Sequence, residues 1–250
     1  MSSYKTAHIY FLQTIMSRGI ISHTECARIC EKFCELTGDD GNSTLQDFIG
    51  TINTQLLSFH FKVRESKRED TGETVFVLVS MVENVLNRLV INGNYSRVEM
   101  DFFRKILDLI VLSSDTDNPG CASSIDILNI ADSLTPKLSK SDAKKLLSRL
   151  VNDQWFYDNN GMIVMSPRSI LELEHYLSVA HEGCVKSCKL CNLLVFYGQS
   201  CEHCNACIHN FCAAQGFKNT TEPKCFSCGH AWPNKYKPIS GALISGKEHR

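Results

Sequence analysis

Apolar residues between positions 4 and 57 recur every three or four residues, the spacing of helices that bury one face. Ser22 is followed three positions later by Glu25, which forms a capping box at one helix start. The next segment is rich in β-branched and aromatic residues on both sides of a polar turn, which predicts a β-hairpin. The predicted elements are helices over Tyr4–Met16, Ser22–Thr37 and Thr44–Leu57, then a hairpin of Phe59–Arg64 and Glu73–Val79.

The same order of elements recurs in residues 96–180. Ser96 and Glu99 form another capping box, and the polar sequence 158–161 is typical of a tight hairpin turn. Ser166 and Pro167 suit the N-cap and the first turn of a further helix. The predicted elements are helices over Arg97–Leu112, Ser124–Leu134 and Lys140–Asn152, a hairpin of Trp155–Tyr157 and Met162–Met165, and a last helix to Ala180.

Three helices followed by a two-stranded wing is the order of a winged-helix domain. We therefore predict a mainly α fold with small β-hairpins: winged-helix domains at residues 1–88 and 89–180, a zinc module at 184–234, and a flexible tail at 235–250. The alternative is that residues 1–180 form one irregular helical domain.

Nine of the thirteen cysteines lie between Cys184 and Cys228. Eight residues of this stretch form four pairs, each with two residues between its members, so that both side chains of a tight turn can reach one tetrahedral ion. The pairs are Cys188 and Cys191, Cys201 and Cys204, His209 and Cys212, and Cys225 and Cys228. This spacing predicts two zinc ions.

The spacing leaves the connectivity open. Pairs one and three could share one ion and pairs two and four the other, or consecutive pairs could form separate knuckles. In both arrangements protein fills all four positions around each ion, so no position remains for an activated water. We therefore expect structural zinc and no catalytic residue in this chain.

A disulfide-stapled secreted module is the alternative explanation of the cysteines. The N-terminal stretch has only a short apolar patch, interrupted by Gln13, and lacks a small-residue cleavage site, so it does not resemble a signal peptide. No apolar run approaches the roughly 20 residues of a membrane span. We therefore expect an intracellular protein with reduced thiols and no membrane partner.

The remaining chemistry is weaker. A net charge of −1 argues against coating nucleic acid by bulk electrostatics. A local basic face of Lys140, Lys144, Lys145 and Arg149 could contact DNA or a partner, although such faces are more often simply solvated.

Other cysteines and histidines fit the zinc sites less well. Cys184 and Cys207 are spare thiols near the ligands, and Cys207 could replace Cys204; we expect His203 and His230 to face solvent. A third cysteine set, Cys26, Cys30 and Cys34, spans about 12 Å on a helix, too far for one ion, and is expected in the core.

The stretch from Cys188 to Cys228 resembles a variant RING finger of ubiquitin ligases. Behind two winged helices, and followed by Trp232 and Pro233, it resembles the RING-bearing non-SMC element 1 family of the structural maintenance of chromosomes five-six complex. The resemblance implies a cross-braced arrangement. One zinc would be held by Cys188, Cys191, His209 and Cys212, and the other by Cys201, Cys204, Cys225 and Cys228.

The resemblance also implies a ubiquitin ligase that orients a charged conjugating enzyme. Candidate groove residues are Leu190, Phe226, Trp232 and Pro233, which could alternatively only cap the zinc core. Many RING fingers have a proline where this chain has Phe226, and a basic residue where it has Gly229. We therefore expect ligase activity that is weak alone and depends on partner subunits.

The implied partners are a MAGE-like non-SMC element subunit, docked through the winged helices, and the other subunits of that complex. Phe11, Ile20 and Ile21 are candidate docking contacts. The implied setting is the nucleus and the chromosome, in DNA repair. A purely architectural module with structural zinc is the alternative, and a histone-tail or DNA reader is a third possibility.

Overall fold

Three helices and a three-stranded sheet form the first unit, within the residues that the computed structural model describes: 4–38, 44–82, 85–91, 94–112 and 120–232. The bounds are α1 Thr6–Arg18, β1 Ile20–Ser22, α2 His23–Thr37, α3 Leu45–Leu56, β2 Phe61–Lys67 and β3 Thr74–Ser80, with a 3-10 turn at Leu57–Phe59. The sheet order is β1-β3-β2, and both pairings are antiparallel. The predicted tail 235–250 and Pro233 lie outside the described residues.

Capping and burial explain these elements. The Ser22 hydroxyl accepts a hydrogen bond from the backbone N–H of Glu25, and a reciprocal capping box joins Thr44 and Asp47. The apolar faces of the helices meet over the sheet in one core. Phe11, Ile15 and Ile52 are fully buried in it, Cys26 is also fully buried, and Cys30 is nearly so.

The second unit repeats this order after one additional helix. Its bounds are α4 Val85–Ile91, α5 Arg97–Val111, β4 Cys121–Ser123, α6 Ser124–Ile130, α7 Lys140–Asn152, β5 Phe156–Asn159, β6 Met162–Met165, α8 Pro167–Glu172 and α9 Glu174–Ala180. Its sheet order is β4-β6-β5. The core contains Phe103, which contacts the rings of Trp155 and Phe156.

The structure corrects the sequence prediction in several details. The sheet of each helical unit has a third strand, β1 in the first unit and β4 in the second, so the fold mixes helices and strands and is less dominated by helix than predicted. The predicted last helix is two helices that meet at Leu173. Helix α4 spans the predicted boundary at 88/89, and its residues Val85 and Leu86 belong to the second core.

The two units contact each other directly. Leu171 of α8 joins Val75, Val77 and Val79 of β3 in a separate buried cluster. Arg64 Nη1 lies 3.1 Å from Glu174 Oε2 across the same contact.

The zinc module, residues 184–232, contains two small sheets and one helix. Its bounds are β7 Lys186–Ser187, β8 Leu194–Val195, β9 Gly198–Ser200, β10 Cys207–His209 and α10 Asn210–Gly216. Strand β7 pairs with β8, and β9 pairs with β10. Leu194 and Phe196 pack against the second core, which attaches the module to the second unit.

Within the described part of the chain, none of the helices has both the length and the apolar character that crossing a bilayer requires.

Candidate metal centre

Three tight turns present the cysteine pairs. In each turn the residue after the second cysteine has a positive φ: 62° at Asn192, 56° at Asn205 and 73° at Gly229. The N–H of that residue donates to the carbonyl of the first cysteine over 2.9, 2.8 and 2.9 Å, respectively. Asn and Gly tolerate this left-handed conformation better than other residues. The asparagine or glycine after each of these three pairs is thus a further sequence signal for a knuckle, beside the spacing of the cysteines.

The fourth pair is positioned differently. His209 ends β10 and is the N-cap of α10, while Cys212 lies in the first turn of that helix. The end of β10 and the start of α10 therefore bring His209 and Cys212 into the same cluster of ligand atoms.

The eight residues form two clusters, and within each cluster the candidate ligand atoms lie within 4.8 Å of one another. In the first, the distance from His209 Nδ1 is 3.3 Å to Cys191 Sγ and 3.8 Å to Cys212 Sγ. In the second, two sulfur–sulfur distances are 3.7 and 3.6 Å. The clusters are Cys188, Cys191, His209 and Cys212, and Cys201, Cys204, Cys225 and Cys228.

These distances suit zinc. Bonds of about 2.3 Å to sulfur in a regular tetrahedron separate two sulfur ligands by about 3.8 Å. A disulfide would hold the sulfurs about 2.05 Å apart, and none of the cysteines in the described part of the chain forms one. Each cluster can hold one metal ion, and two zinc ions fit the sulfur-rich donor sets. The sequence prediction of two zinc ions is therefore confirmed.

The chain wraps around both clusters. Because the first and third pairs form one cluster and the second and fourth pairs the other, the two clusters interlock along the sequence. The loss of either ion would therefore loosen segments that also carry ligands of the other.

Backbone amides surround the sulfurs. The N–H groups of Leu190 and Ser227 each donate to a cysteine Sγ over 3.4 Å. The neighbouring Cys212 thiol donates to Cys188 and lowers its pKa to about 2. Burial opposes ionisation of Cys225, yet backbone and thiol donors lower its pKa to about 7. Each cluster thus favours a thiolate, the form that binds metal, at one cysteine, whereas the hydrogen bond to Cys188 raises the pKa of Cys212 and the pKa of Cys228 is also raised.

His209 is oriented by two acceptors on its other nitrogen. Nε2 lies 2.9 Å from the Leu194 carbonyl oxygen and 3.1 Å from Glu69 Oε1. Because both partners can only accept, Nε2 carries a proton and Nδ1 is the atom that faces the metal position. Burial lowers the pKa of His209, but hydrogen bonds to Cys188 and Glu69 raise it to about 10, so a metal ion would displace a proton from Nδ1. Glu69 belongs to the turn between β2 and β3, and no sequence spacing could have connected it with His209.

The groove candidates divide into exposed and buried residues. Leu190 and Phe226 are 39% and 49% exposed, and both flank Gly216 of α10. Trp232 is 3% exposed, packs against Phe217, and donates from Nε1 to Gln199 Oε1. Of the two alternatives for Trp232, a groove residue or a cap on the zinc core, its burial in the module core supports the cap.

The basic face is largely engaged with neighbouring groups. Lys140 Nζ lies 2.7 Å from Asp132, and Arg149 lies 3.1 Å from Glu99 and above the ring of Tyr95. The remaining members of the face, Lys144 and Lys145, are exposed, and Lys145 lies 3.5 Å from Asp142.

The other candidates fall outside the two clusters. Cys207 is partly buried and contacts the Asn205 carbonyl, while His203 and His230 are exposed and stack on each other at 4.1 Å. The docking candidates Phe11 and Ile21 are 0% and 1% exposed because they belong to the first core, so their prediction as surface contacts is wrong.

Comparison with known proteins identifies relatives along most of the chain. A family profile described as the Nse1 non-SMC component of the SMC5-6 complex matches residues 8–173, and a RING-like domain profile matches residues 188–228.

Curated relatives agree. The non-structural maintenance of chromosomes element 1 homolog of Bos taurus is 34% identical over 236 residues, covering 93% of this chain and 86% of the relative. The Homo sapiens homolog is 32% identical over 253 residues, covering 96% and 92%. The Schizosaccharomyces pombe element 1 is 24% identical over 228 residues, covering 91% and 92%.

A solved structure described as an Nse1-Nse3-Nse4 complex contains a similar chain. The TM-score is 0.82 at 32% identity, and the match covers 94% of this chain and 100% of that chain. The resemblance noted in the sequence is thus confirmed. The chain belongs to the Nse1 family of non-SMC components of the SMC5-6 complex and has a RING-like domain at its carboxyl-terminal side.

Proposed function

We propose that this chain is a RING-type ubiquitin ligase subunit of a chromosome maintenance complex, and that it assembles with Nse3-like and Nse4-like subunits. The observation that supports the ligase most is the pair of exposed apolar side chains, Leu190 and Phe226, beside two interlocked metal clusters. Exposed neighbouring apolar residues are typical of interaction sites.

The zinc ions have a structural role in this proposal. Cys188, Cys191, His209 and Cys212 are the ligands of one ion, and Cys201, Cys204, Cys225 and Cys228 are the ligands of the other. Four protein ligands leave no position for a substrate or an activated water. The chain therefore acts without a catalytic residue of its own.

The work of the module is orientation. Leu190 and Phe226 bind a ubiquitin-charged conjugating enzyme. Buried Trp232 packs against Phe217, which in turn stacks on Phe226 at 5.1 Å and so holds that side chain in place. Restricting the thioester to a reactive geometry removes orientational entropy that the reaction would otherwise lose in the transition state.

The two helical units are winged-helix domains in this proposal, and they serve as docking surfaces for a MAGE-like subunit. The support is the order of three helices and a hairpin in each unit, together with the similarity to a chain of an Nse1-Nse3-Nse4 complex. Helix α4 is assigned to the second domain because its apolar residues belong to the second core.

Ubiquitin discharge from a charged conjugating enzyme tests the proposal. The full chain, with and without its MAGE-like partner, is mixed with members of a broad enzyme panel, and discharge is followed over time. We expect Leu190→Ala and Phe226→Ala to slow discharge while partner binding and zinc content persist. Leu36→Ala is the control, because Leu36 is 70% exposed on α2, far along the chain from the zinc module. No acceleration by the wild-type chain under any condition would contradict the ligase proposal.

An architectural module with little ligase activity is the second candidate, and one observation favours it. The position after the last ligand, where many RING fingers carry a basic residue, is Gly229 with a φ of 73°. This conformation disfavours the side chain that would contact ubiquitin. The architectural function predicts that Leu190→Ala leaves complex function intact, whereas loss of Cys188 disrupts the module.

Nuclear, chromosome-associated localisation follows from membership of such a complex. DNA contact through the basic face is expected to be weak, since two of its four cations have close acidic partners at 2.7 and 3.1 Å. A binding titration at two salt concentrations measures this contact, because phosphate contacts weaken steeply with added salt.

A further inference from the structure

The turn between β2 and β3 of the first unit is inserted against the zinc module. The Glu69 side chain is only 10% exposed there. Its carboxylate accepts from the backbone N–H of Phe196 over 2.9 Å and of Tyr197 over 3.3 Å, and Oε1 lies 3.1 Å from His209 Nε2. A carboxylate on one unit thus meets three donors on another.

Burying a carboxylate is costly unless its oxygens are hydrogen-bonded. The three donors provide this compensation, and all of them belong to the zinc module. The contact is therefore specific for one arrangement of the first unit and the module. A displaced turn would leave a buried charge without partners.

The surrounding residues reinforce the contact. The ring of Phe211 stacks on the imidazole of His209 at a centre-to-centre distance of 4.7 Å. Lys67 Nζ lies 5.3 Å from the centre of the Phe211 ring. Gly72, with a φ of 73°, approaches so closely that a Cβ there would lie 2.9 Å from Phe211 Cβ. The turn thus packs against Phe211, the ring that stacks on the imidazole that Glu69 contacts.

The same turn also contacts the second unit. The guanidinium of Arg68 lies 4.4 Å from the ring centre of Tyr157, and Asn159 Nδ2 donates to Asp70 over 3.5 Å. The turn of this hairpin therefore contacts both the zinc module and the second unit of the same chain.

We propose that Glu69 is a positioning residue for the first metal site: it holds His209 in the tautomer and orientation that binds zinc, and so couples metal affinity to docking of the first unit. The inference depends on the zinc assignment of the proposed function but not on ligase activity. Hydrogen-bonded carboxylates behind a metal-bound histidine fix the ring and increase its basicity, and their loss typically weakens metal binding 10- to 100-fold.

The test uses the full chain loaded with two Co²⁺ ions, whose absorption bands distinguish a site with a nitrogen ligand from a site with four sulfurs. The variant is Glu69→Gln, which keeps the size of the side chain and removes its charge. The matched control is Glu73→Gln, at an exposed position of the same hairpin. Competitive chelator titration gives the affinity of each site, and hydrogen exchange follows the amides of Phe196 and Tyr197.

In Glu69→Gln we expect the site with the nitrogen ligand to lose about 10- to 100-fold in affinity and its band to shift, with the four-sulfur site unchanged. Exchange at Phe196 and Tyr197 should accelerate, whereas Glu73→Gln should match the wild type. Glu69→Asp, which retains the charge but is shorter, should give an intermediate loss.

Two results would overturn the inference: equal weakening of both sites, which would indicate general destabilisation, or unchanged affinity and spectrum in Glu69→Gln. A wild-type chain that binds fewer than two ions would instead contradict the zinc assignment itself.

Discussion

The second unit and the zinc module bury very different side chains. The core of the second unit contains large apolar residues such as Phe102, Phe103 and Trp155. The core of the module consists mainly of ligand cysteines and alanines, with Trp232 as its largest side chain. The second unit can therefore be stabilised by burial of apolar surface, at roughly 25 cal/mol per Å². The module has too little apolar volume for this and depends on metal coordination.

Removal of zinc should give the largest effect. Structural zinc contributes roughly 10 to 16 kcal/mol of apparent binding energy in finger peptides, so a strong chelator should unfold the module. The helical units should keep their cores. Hydrogen exchange by peptide should increase over residues 186–232 and remain low in α5 and α7. Retained protection of the module without metal would contradict the distinction between the two regions.

A cavity in the second core should have the next largest effect. It should destabilise the second unit and leave the zinc module intact, the reverse of zinc removal. Phe103→Ala removes a fully buried ring that contacts Trp155 and Phe156, and should lower the free energy of unfolding of the unit by about 3 to 5 kcal/mol. Phe59→Ala, at a residue that is 69% exposed, is the control. Urea denaturation measures the loss, and elemental analysis should still find the full zinc content. Zinc loss in Phe103→Ala would indicate that the two regions fold as one.

Substitution of Gly120, which lies against Phe196 of the zinc module, tests the junction between these regions, with Gly19 as the control position. Both Gly120 and Gly19 have positive φ, 73° and 75°, but only at Gly120 would a Cβ collide with another residue, 2.3 Å from the Phe196 carbonyl oxygen. Gly19→Ala should lower the free energy of unfolding by about 1 to 3 kcal/mol through backbone strain alone. Gly120→Ala should lower the free energy of unfolding, measured by urea denaturation, by more than Gly19→Ala does. It should also increase hydrogen exchange near Phe196. Equal effects of the two substitutions would show that the close approach is unimportant.

The smallest effect is expected from a helix cap. The Ser96 hydroxyl accepts from the Glu99 backbone N–H at the start of α5, so Ser96→Ala should cost about 1 kcal/mol. Metal affinity, measured by chelator competition, should not change. A measurable change in metal affinity would mean that modest strain in the second unit reaches the zinc sites.

Local signals explain which parts of the fold were predictable. Helix α7 was predicted at its observed bounds because Ser139 and Asp142 mark its start and leucines mark its buried face. Strands β1 and β4 were missed because three residues are too few to show an alternating pattern. Their pairing is imposed by the neighbouring hairpin strand rather than by their own sequence.

At the metal centre, the same limit applies. The spacing of the pairs indicated two ions, but the grouping of the pairs depends on how the chain crosses itself in three dimensions. Glu69 is 140 positions from His209, and its contact depends on docking between units, which no local pattern encodes. The sequence left Trp232 as either a groove residue or a cap on the zinc core, because its position beside the ligands does not reveal its burial.

Native mass spectrometry of the intact chain tests the central claim most directly. The account predicts a mass increase of two zinc ions, with all thirteen cysteines free of disulfide bonds. A chain that carries no metal, or one whose clustered cysteines are linked to each other by disulfide bonds, would contradict it.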